Sequence, residues 1–267
     1  MFCLNGKNVL IIGGRGRLGA SFCRALAQNG AYVISADLSN NQHKEEQIYK
    51  NIEQKNVDVT NELSISQLIS EIYENHKKID VFIYSVTSKT DDSYQPYTDV
   101  SISGWRKIIA IELDGLFLLS QKIGKIMEKQ GFGSMIFISS IYGIVGNDHS
   151  IYEGSNLSDV YNPVGVASKK ICSPAVYNVV KSGVISLSRY LSTYWGSIGI
   201  RVNCISPGGI HHPDENTEFV KKYSKKVPLG RKARLDEING ALLYLASDAS
   251  SYVTGHNLVV DGGWTAW

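Results

Sequence analysis

The chain has 267 residues, a net charge of +2 and 43% hydrophobic residues, so it is long enough to bury one large core and has no strong electrostatic draw toward nucleic acid or a membrane surface. The only apolar run near the N-terminus, VLII at 9–12, is too short for a secretory signal or a membrane span, so a cytoplasmic location and small-molecule partners are expected. Cys3, Cys23, Cys172 and Cys204 lack C-x-x-C spacing, which argues against a zinc site or a disulfide framework, and the N-x-S at Asn156 then carries no glycan.

In chain order, KNVLII (7–12) reads as a strand, followed by a helix over 17–29 and a second strand AYVISA (31–36). KNVDV (55–59) is the third expected strand, then a helix over 62–76, the strand IDVFIY (79–84), and a long helix over 101–130 with a break. SMIFIS (134–139), a helix over 175–197, IRVNCI (200–205), a helix over 235–247 and HNLVV (256–260) complete the series. Seven strands alternating with helices imply right-handed crossovers and one parallel sheet covered on both faces. The expectation is a single α/β domain over 1–267, a doubly wound, Rossmann-type sheet whose ligands lie beyond the carboxyl ends of the strands. Two irregular segments, 143–174 and 208–234, are long enough to be functional, as an insertion and a substrate lid.

The first turn, GGRGRLG at 13–19, admits three glycine registers: 14, 16, 19; 13, 16, 19; and 13 with 19 if Arg17 stands where a glycine is usual. Glycines between a strand and a helix let backbone pass close to a pyrophosphate and aim the helix N-terminus at its charge. Gly13, Arg15, Gly16, Arg17, Leu18 and Gly19 are therefore candidate cofactor contacts, and Ala20 excludes the alternative P-loop. Asp37, at the end of the next strand, is placed for a ribose 2′-hydroxyl and favours NAD over NADP, whereas Arg15 and Arg17 leave NADP possible. Asp58, with Val59 behind it, reads either as an adenine-edge contact or as a strand-end cap.

Ser140, Tyr177 and Lys181 form the catalytic candidates. The i, i+4 spacing puts Tyr177 and Lys181 on one helix face, whereas the other Y-x-x-x-K, Tyr73 with Lys77, is far from any strand-end serine. A phenol titrates near about 10, and drawing it toward neutrality takes roughly 4 kcal/mol, which an ammonium and a cationic nicotinamide ring can supply. Tyr177 would act as general acid or base, Ser140 would hydrogen-bond the same substrate oxygen, and Lys181 would also hold the nicotinamide ribose.

The glycine turn, DVT at 58–60, ISS at 138–140, YNVVKSG at 177–183, IRVNCISPGG at 200–209, PLGR at 228–231 and YVTGHNLVVDGG at 252–263 together resemble the short-chain dehydrogenase/reductase family. The resemblance implies a homo-oligomer, either tetramer or dimer, packed through the helices around 101–130 and 175–197. It further implies that Ser85 lies at the cofactor, that Pro207, Gly208 and Ile210 lie against the nicotinamide, and that the Ile210 backbone meets the carboxamide. Three features depart from the family pattern: Tyr84-Ser85-Val86-Thr87 replaces N-N-A-G, Glu112 replaces a helix asparagine, and Arg17 replaces a glycine. IYG and SIYEG, within the 37-residue interval from Ser140 to Tyr177, resemble the branch of flagellin-modification and legionaminic-acid-type sugar oxidoreductases, which implies a sugar phosphate or nucleotide sugar.

The seven basic residues within 221–234 suit an anionic substrate, although a charge run is more often a solvated face. His211 and His212 lack a third ligand, so a lid role is expected and no metal. The reading is an NAD(P)-dependent hydride transfer on a secondary alcohol or ketone. The alternatives are reduction of an acyl thioester or small ketone, and a dinucleotide-binding subunit with degraded chemistry. No G-x-S-x-G supports a serine hydrolase.

Overall fold

The computed structural model describes residues 2–38, 49–162, 165 and 171–267. Its centre is a seven-stranded parallel sheet in the order β3-β2-β1-β4-β5-β6-β7. The strands are β1 (Asn8–Ile12), β2 (Tyr32–Asp37), β3 (Ile52–Asn56), β4 (Val81–Tyr84), β5 (Gly133–Ile138), β6 (Ile200–Pro207) and β7 (Asn257–Val260). Strand order reverses direction at β1, which places the crevice between the carboxyl ends of β1 and β4.

The period of two along each strand divides the core. Leu10, Ile12, Phe82, Tyr84, Met135 and Phe137 point to one face, against α2 (Glu62–His76), α4 (Gly115–Gln130) and α6 (Ala175–Trp195). Val9, Ile11, Val81, Ile83, Ile136 and Ile138 point to the other, against α1 (Arg17–Gln28) and α8 (Asn239–Ala246). Among the described residues no helix is long and apolar enough to cross a membrane.

Two boundaries differ from expectation. The third strand lies at 52–56 rather than 55–59. Its residues pair in register from Val33↔Ile52 to Asp37↔Asn56, and as an edge strand of sequence IEQKN it carries little hydrophobic signal. Val57 and Val59 supply that signal, but they pack beneath the sheet as the chain turns toward α2. The break within 101–130 is a π-helical turn, Ala110–Asp114, that joins α3 (Ile102–Ile109) to α4 without interrupting the helix. The buried Tyr84 hydroxyl donates to the Ile111 carbonyl at 2.5 Å and so holds the wide turn from the sheet side.

The irregular segments contain two short helices that the hydrophobic pattern does not disclose, α5 (Leu157–Tyr161) and α7 (Thr217–Ser224). Ile151, Tyr152, Leu157, Phe219, Tyr223, Val227 and Trp264 form one separate apolar cluster, with Tyr223 and Trp264 stacked 4.4 Å apart. The 143–174 and 208–234 segments therefore build a single cap over the carboxyl edge of the sheet. Residues 163–164 and 166–170 of the expected insertion lie outside the described residues.

Candidate active site

Close packing dictates most of the glycine turn. Gly13 has φ +81°, and a Cβ there would lie 2.5 Å from the Ser85 carbonyl oxygen. A Cβ on Gly19 would lie 2.0 Å from the Gly13 oxygen, and one on Gly14 would lie 2.3 Å from Ser35 Oγ. Gly16 differs. Its φ of −69° suits any residue, and its Cβ would meet only the Gly13 oxygen, at an ordinary 3.4 Å. The fold itself does not need glycine at 16, so the missing side chain leaves room on the outer side of the turn. Gly16 is also the N-cap of α1 and gives it no side-chain cap, and the first turn of α1 holds no acidic residue. Free backbone N–H groups and an uncrowded approach are what a pyrophosphate needs, so the residues fit a dinucleotide.

Leu18 and Arg17 both fall on the first turn of α1. The Arg17 guanidinium donates to the His211 carbonyl at 2.8 Å, which commits it to the segment after β6. In this position the side chain ties α1 to the cap. Arg15 is buried, and its guanidinium donates to Gln54, Asn56 and the carbonyls of Leu38 and Lys55, all within 3.0 Å. Its backbone N–H and that of Leu38 both donate to the Asp37 carboxylate. Arg15 therefore braces the ends of β2 and β3 around Asp37, with four of its five N–H directions spent on protein.

Asp58 is exposed, and its Oδ1 accepts from the Thr60 backbone and hydroxyl while its N–H donates to Ser64 Oγ. Of the two expected roles, the cap is the one these contacts describe. Val59 packs against the position of Gly115. Ser85 follows β4, with its N–H on the Ile12 carbonyl, and its own carbonyl presses on Gly13.

At the carboxyl end of β5, Ser139 and Ser140 have different tasks. Ser139 Oγ donates to the Lys181 carbonyl at 2.8 Å and fixes α6 to the strand, while the Ser140 side chain accepts from the Tyr142 N–H. A Cβ on Gly143 would collide with the Lys181 backbone at 2.8 Å, so this strand end and α6 are in close contact. Lys181 is buried; its Nζ lies 5.4 Å from the centre of the Tyr177 ring, 2.9 Å from Glu112 Oε2 and 3.3 Å from the carbonyls of Val86 and Ile138. Burial alone would lower its pKa, but Glu112 and Tyr177 more than offset this, and it stands above the ordinary lysine value. Glu112 comes from the π-helical turn, where a wide turn re-aims a side chain. Its Oε1 accepts from the Ser88 N–H and the Thr87 hydroxyl.

Sequence reasoning flagged Glu112 as a departure but missed its pairing with Lys181, and it missed Lys89 altogether. The Lys89 Nζ sits 5.1 Å from the centre of the same Tyr177 ring. The available signal was its position, five residues past the end of β4 in the stretch that follows the altered N-N-A-G.

Beyond β6, Pro207 ends the strand, a Cβ on Gly208 would strike the Asp261 backbone at 2.8 Å, and Ile210 bridges to Ala233. Gly209 donates to the Tyr223 hydroxyl at 2.6 Å, which joins this turn to α7. The basic run of 221–234 is largely neutralised within the protein. Lys222 pairs with Glu218, Lys226 with Asp148, Arg231 with Glu237, Arg234 with Asp236, and buried Lys232 with buried Glu215. His212 stacks edge-on to Tyr161 in the cap.

A doubly wound parallel sheet, with an uncrowded glycine turn after its first strand and a Tyr–Lys helix at its carboxyl edge, is the frame of a nucleotide-dependent oxidoreductase. The chain belongs to the short-chain dehydrogenase/reductase family: the short chain dehydrogenase model matches residues 7–155, and the enoyl-(acyl carrier protein) reductase model matches 164–265. It is 32% identical to sorbose reductase of Candida albicans over 99% of this chain and 89% of that protein. It is 30% identical to post-translational flagellin modification protein A of Campylobacter coli over 98% and 99%. A short chain dehydrogenase of Leptospira borgpetersenii solved with bound NAD+ superposes with a TM-score of 0.85 at 31% identity, over 98% of this chain and 94% of that one. The protein is an NAD(P)-dependent oxidoreductase.

Proposed function

We propose that the protein transfers a hydride between a nicotinamide cofactor, NAD in preference to NADP, and a secondary alcohol or ketone of a sugar or polyol. The observation that carries this reading is Tyr177 beside the Lys181 ammonium, on a helix fixed to the strand end that bears Ser140. The cofactor, when bound, supplies or accepts the hydride. Tyr177 gives a proton to the nascent alkoxide during reduction or takes it from the alcohol during oxidation, and Ser140 Oγ hydrogen-bonds the same oxygen. Lys181, ion-paired with Glu112, stands beside the phenol and would also hold the nicotinamide ribose. Gly13, Gly16, Leu18 and Gly19 form the pyrophosphate turn, Asp37 accepts from the adenosine ribose, Val59 and Ser85 border the adenosine and nicotinamide halves, and Pro207, Gly208 and Ile210 shelter the carboxamide side.

The preference for NAD rests on the Asp37 charge and on the Arg15 donors already engaged by protein. The sugar class rests on the similarity to a sorbose reductase over nearly both chains. A second reading, a sugar derivative of surface-glycan or flagellin modification, is favoured by the match along 99% of the flagellin modification protein. Assembly through α4 and α6 is supported by exposed apolar groups there, Phe117 and the stacked pair Tyr190 and Tyr194.

The test is a panel of ketoses with NADH or NADPH, and of polyols with NAD+ or NADP+, followed at the nicotinamide absorbance. Tyr177→Phe should lower kcat by at least about 100-fold with cofactor binding retained. Full activity in that variant would refute the assignment.

A further inference from the structure

The ammonium that should hold charge beside Tyr177 is already in an ion pair. Lys181 Nζ lies 2.9 Å from Glu112 Oε2, and both side chains are almost wholly removed from solvent. A paired lysine presents far less net positive field to a third group than a lone one does. Left to this pair alone, the Tyr177 phenol would gain little help in giving up its proton. A second ammonium stands at the same ring: Lys89 Nζ is 5.1 Å from its centre, against 5.4 Å for Lys181. Its one hydrogen bond among the described residues goes to the neighbouring Ser88 carbonyl at 3.3 Å, so no carboxylate partner neutralises it directly. Ser88, in turn, is held by Glu112 through its N–H at 2.9 Å, so the carboxylate that occupies Lys181 also fixes the backbone from which Lys89 projects.

We propose that Lys89 is a positioning residue that restores, beside Tyr177, the positive charge that Glu112 withdraws from Lys181. The proposal rests on the reading of Tyr177 as the proton-transfer group. Burial, with the Lys181 charge, lowers the Lys89 pKa below the ordinary lysine value, and Glu112 opposes that shift. With Lys89 protonated, the two lysines at the ring and the carboxylate paired to one of them sum to +1, the same as a single unpaired lysine. The other titratable side chains that sense Tyr177 are phenols, namely Tyr94, Tyr142, Tyr152 and Tyr223 from the cap and the strand ends. Burial pushes each of them above the ordinary tyrosine value, so they stay neutral across the working range. Glu112 and Lys89 are thus a compensating pair, and neither substitution should be equivalent to both.

Protein labelled with 13C at tyrosine Cζ reports phenol ionisation directly, and the Tyr177 resonance is identified by its loss in Tyr177→Phe. Lys89→Met should move the Tyr177 midpoint upward by about one pH unit or more, and Glu112→Gln should move it downward. The double substitution should return it to within about half a unit of the parent, and Lys89→Arg should leave it near the parent value. The alkaline-side and acid-side limits of kcat in ketose reduction should follow the same order. A Tyr177 midpoint unmoved by Lys89→Met, or moved equally by Lys89→Met and Lys89→Arg, overturns the proposal. If Glu112→Gln does not fold because Lys181 is left unpaired, the Met and Arg variants at 89 decide the matter alone. Full ketose reduction by Tyr177→Phe would instead defeat the functional reading, and the titration would remain a measure of charge at that ring.

Discussion

Gly16 and Gly19 share a glycine motif, yet substitution at the two positions should fail in different ways. At Gly19 an added Cβ would lie 2.0 Å from the Gly13 carbonyl oxygen and 2.9 Å from two further backbone atoms, none of which can rotate away. The β1–α1 turn must deform, and overpacking of this kind costs about 1–3 kcal/mol or more. For a chain of this size that is a fall in Tm of roughly 3–10 °C. At Gly16 the new methyl would meet one atom at 3.4 Å, and the φ of −69° is already that of an ordinary residue. Alanine at an N-cap costs about 0.5–1 kcal/mol relative to glycine. The lost flexibility of the unfolded chain returns about 0.4–1 kcal/mol. Gly16→Ala should therefore keep its Tm within about 2 °C. The methyl would stand where the pyrophosphate must approach, so NAD+ affinity should fall at least about tenfold. Thermal unfolding and calorimetric titration with NAD+, run on both variants, separate the two effects. Gly16→Ala with unchanged NAD+ affinity would refute the claim that the open side of this turn is the cofactor's, and Gly19→Ala with an unchanged Tm would refute the packing argument.

Two further outcomes follow from the charges. Asp37→Asn keeps an acceptor oxygen for only one of the two N–H groups, Arg15 or Leu38, that now bond to separate carboxylate oxygens, and it removes the repulsion toward a 2′-phosphate. The ratio of NADP+ to NAD+ affinity should then rise about tenfold, and an unchanged ratio in paired titrations would remove Asp37 from cofactor selection. The hydrogen-bonded Arg231 guanidinium holds the Glu237 carboxyl down to about 2, as Lys226 holds Asp148 to about 2. Each folded-state value lies below the unfolded one, so the stability it contributes is complete above the ordinary carboxylate range and is lost as pH falls toward about 2. Glu237→Gln should accordingly flatten the decline of Tm between about pH 5 and pH 2.5. An unchanged slope would show that the exposed Arg231 pairing is screened out by solvent.

How far the sequence disclosed this architecture depended on which physical signal each element carries. β1, β4 and β5 are buried on both faces and carry runs of consecutive apolar residues, and β6, interrupted by Arg201 and Asn203, still alternates apolar residues, so these strands stood out at once. β3 lies at the sheet edge, and its polar residues are held by pairing to β2 rather than by burial, so the apolar Val57 and Val59 drew the expected strand three residues too far along. The cap helices α5 and α7 are short, and each buries only a few residues against the other irregular segment, a tertiary arrangement no local period encodes. Tyr177 and Lys181 were legible because four-residue spacing on a helix fixes their common face.

The charges around them were legible only as departures, because Glu112 reaches Lys181 through a π-helical turn and Lys89 reaches Tyr177 from a strand-end loop, and neither placement follows from spacing along one element. The same limit explains the basic run at 221–234. As a string it is seven cations, but Asp148 and Glu215, 78 and 17 residues before Lys226 and Lys232, are brought to it by the fold. Five of the seven cations that a sequence reports as a positive segment then form pairs within the protein. Near Tyr177 the opposite holds: a carboxylate that looks like an isolated substitution takes up one lysine and leaves another unpaired. The net charge beside Tyr177 is therefore set by three segments at once, the loop after β4, the π-helical turn before α4, and α6. A change at one of them can therefore be offset by a change at another.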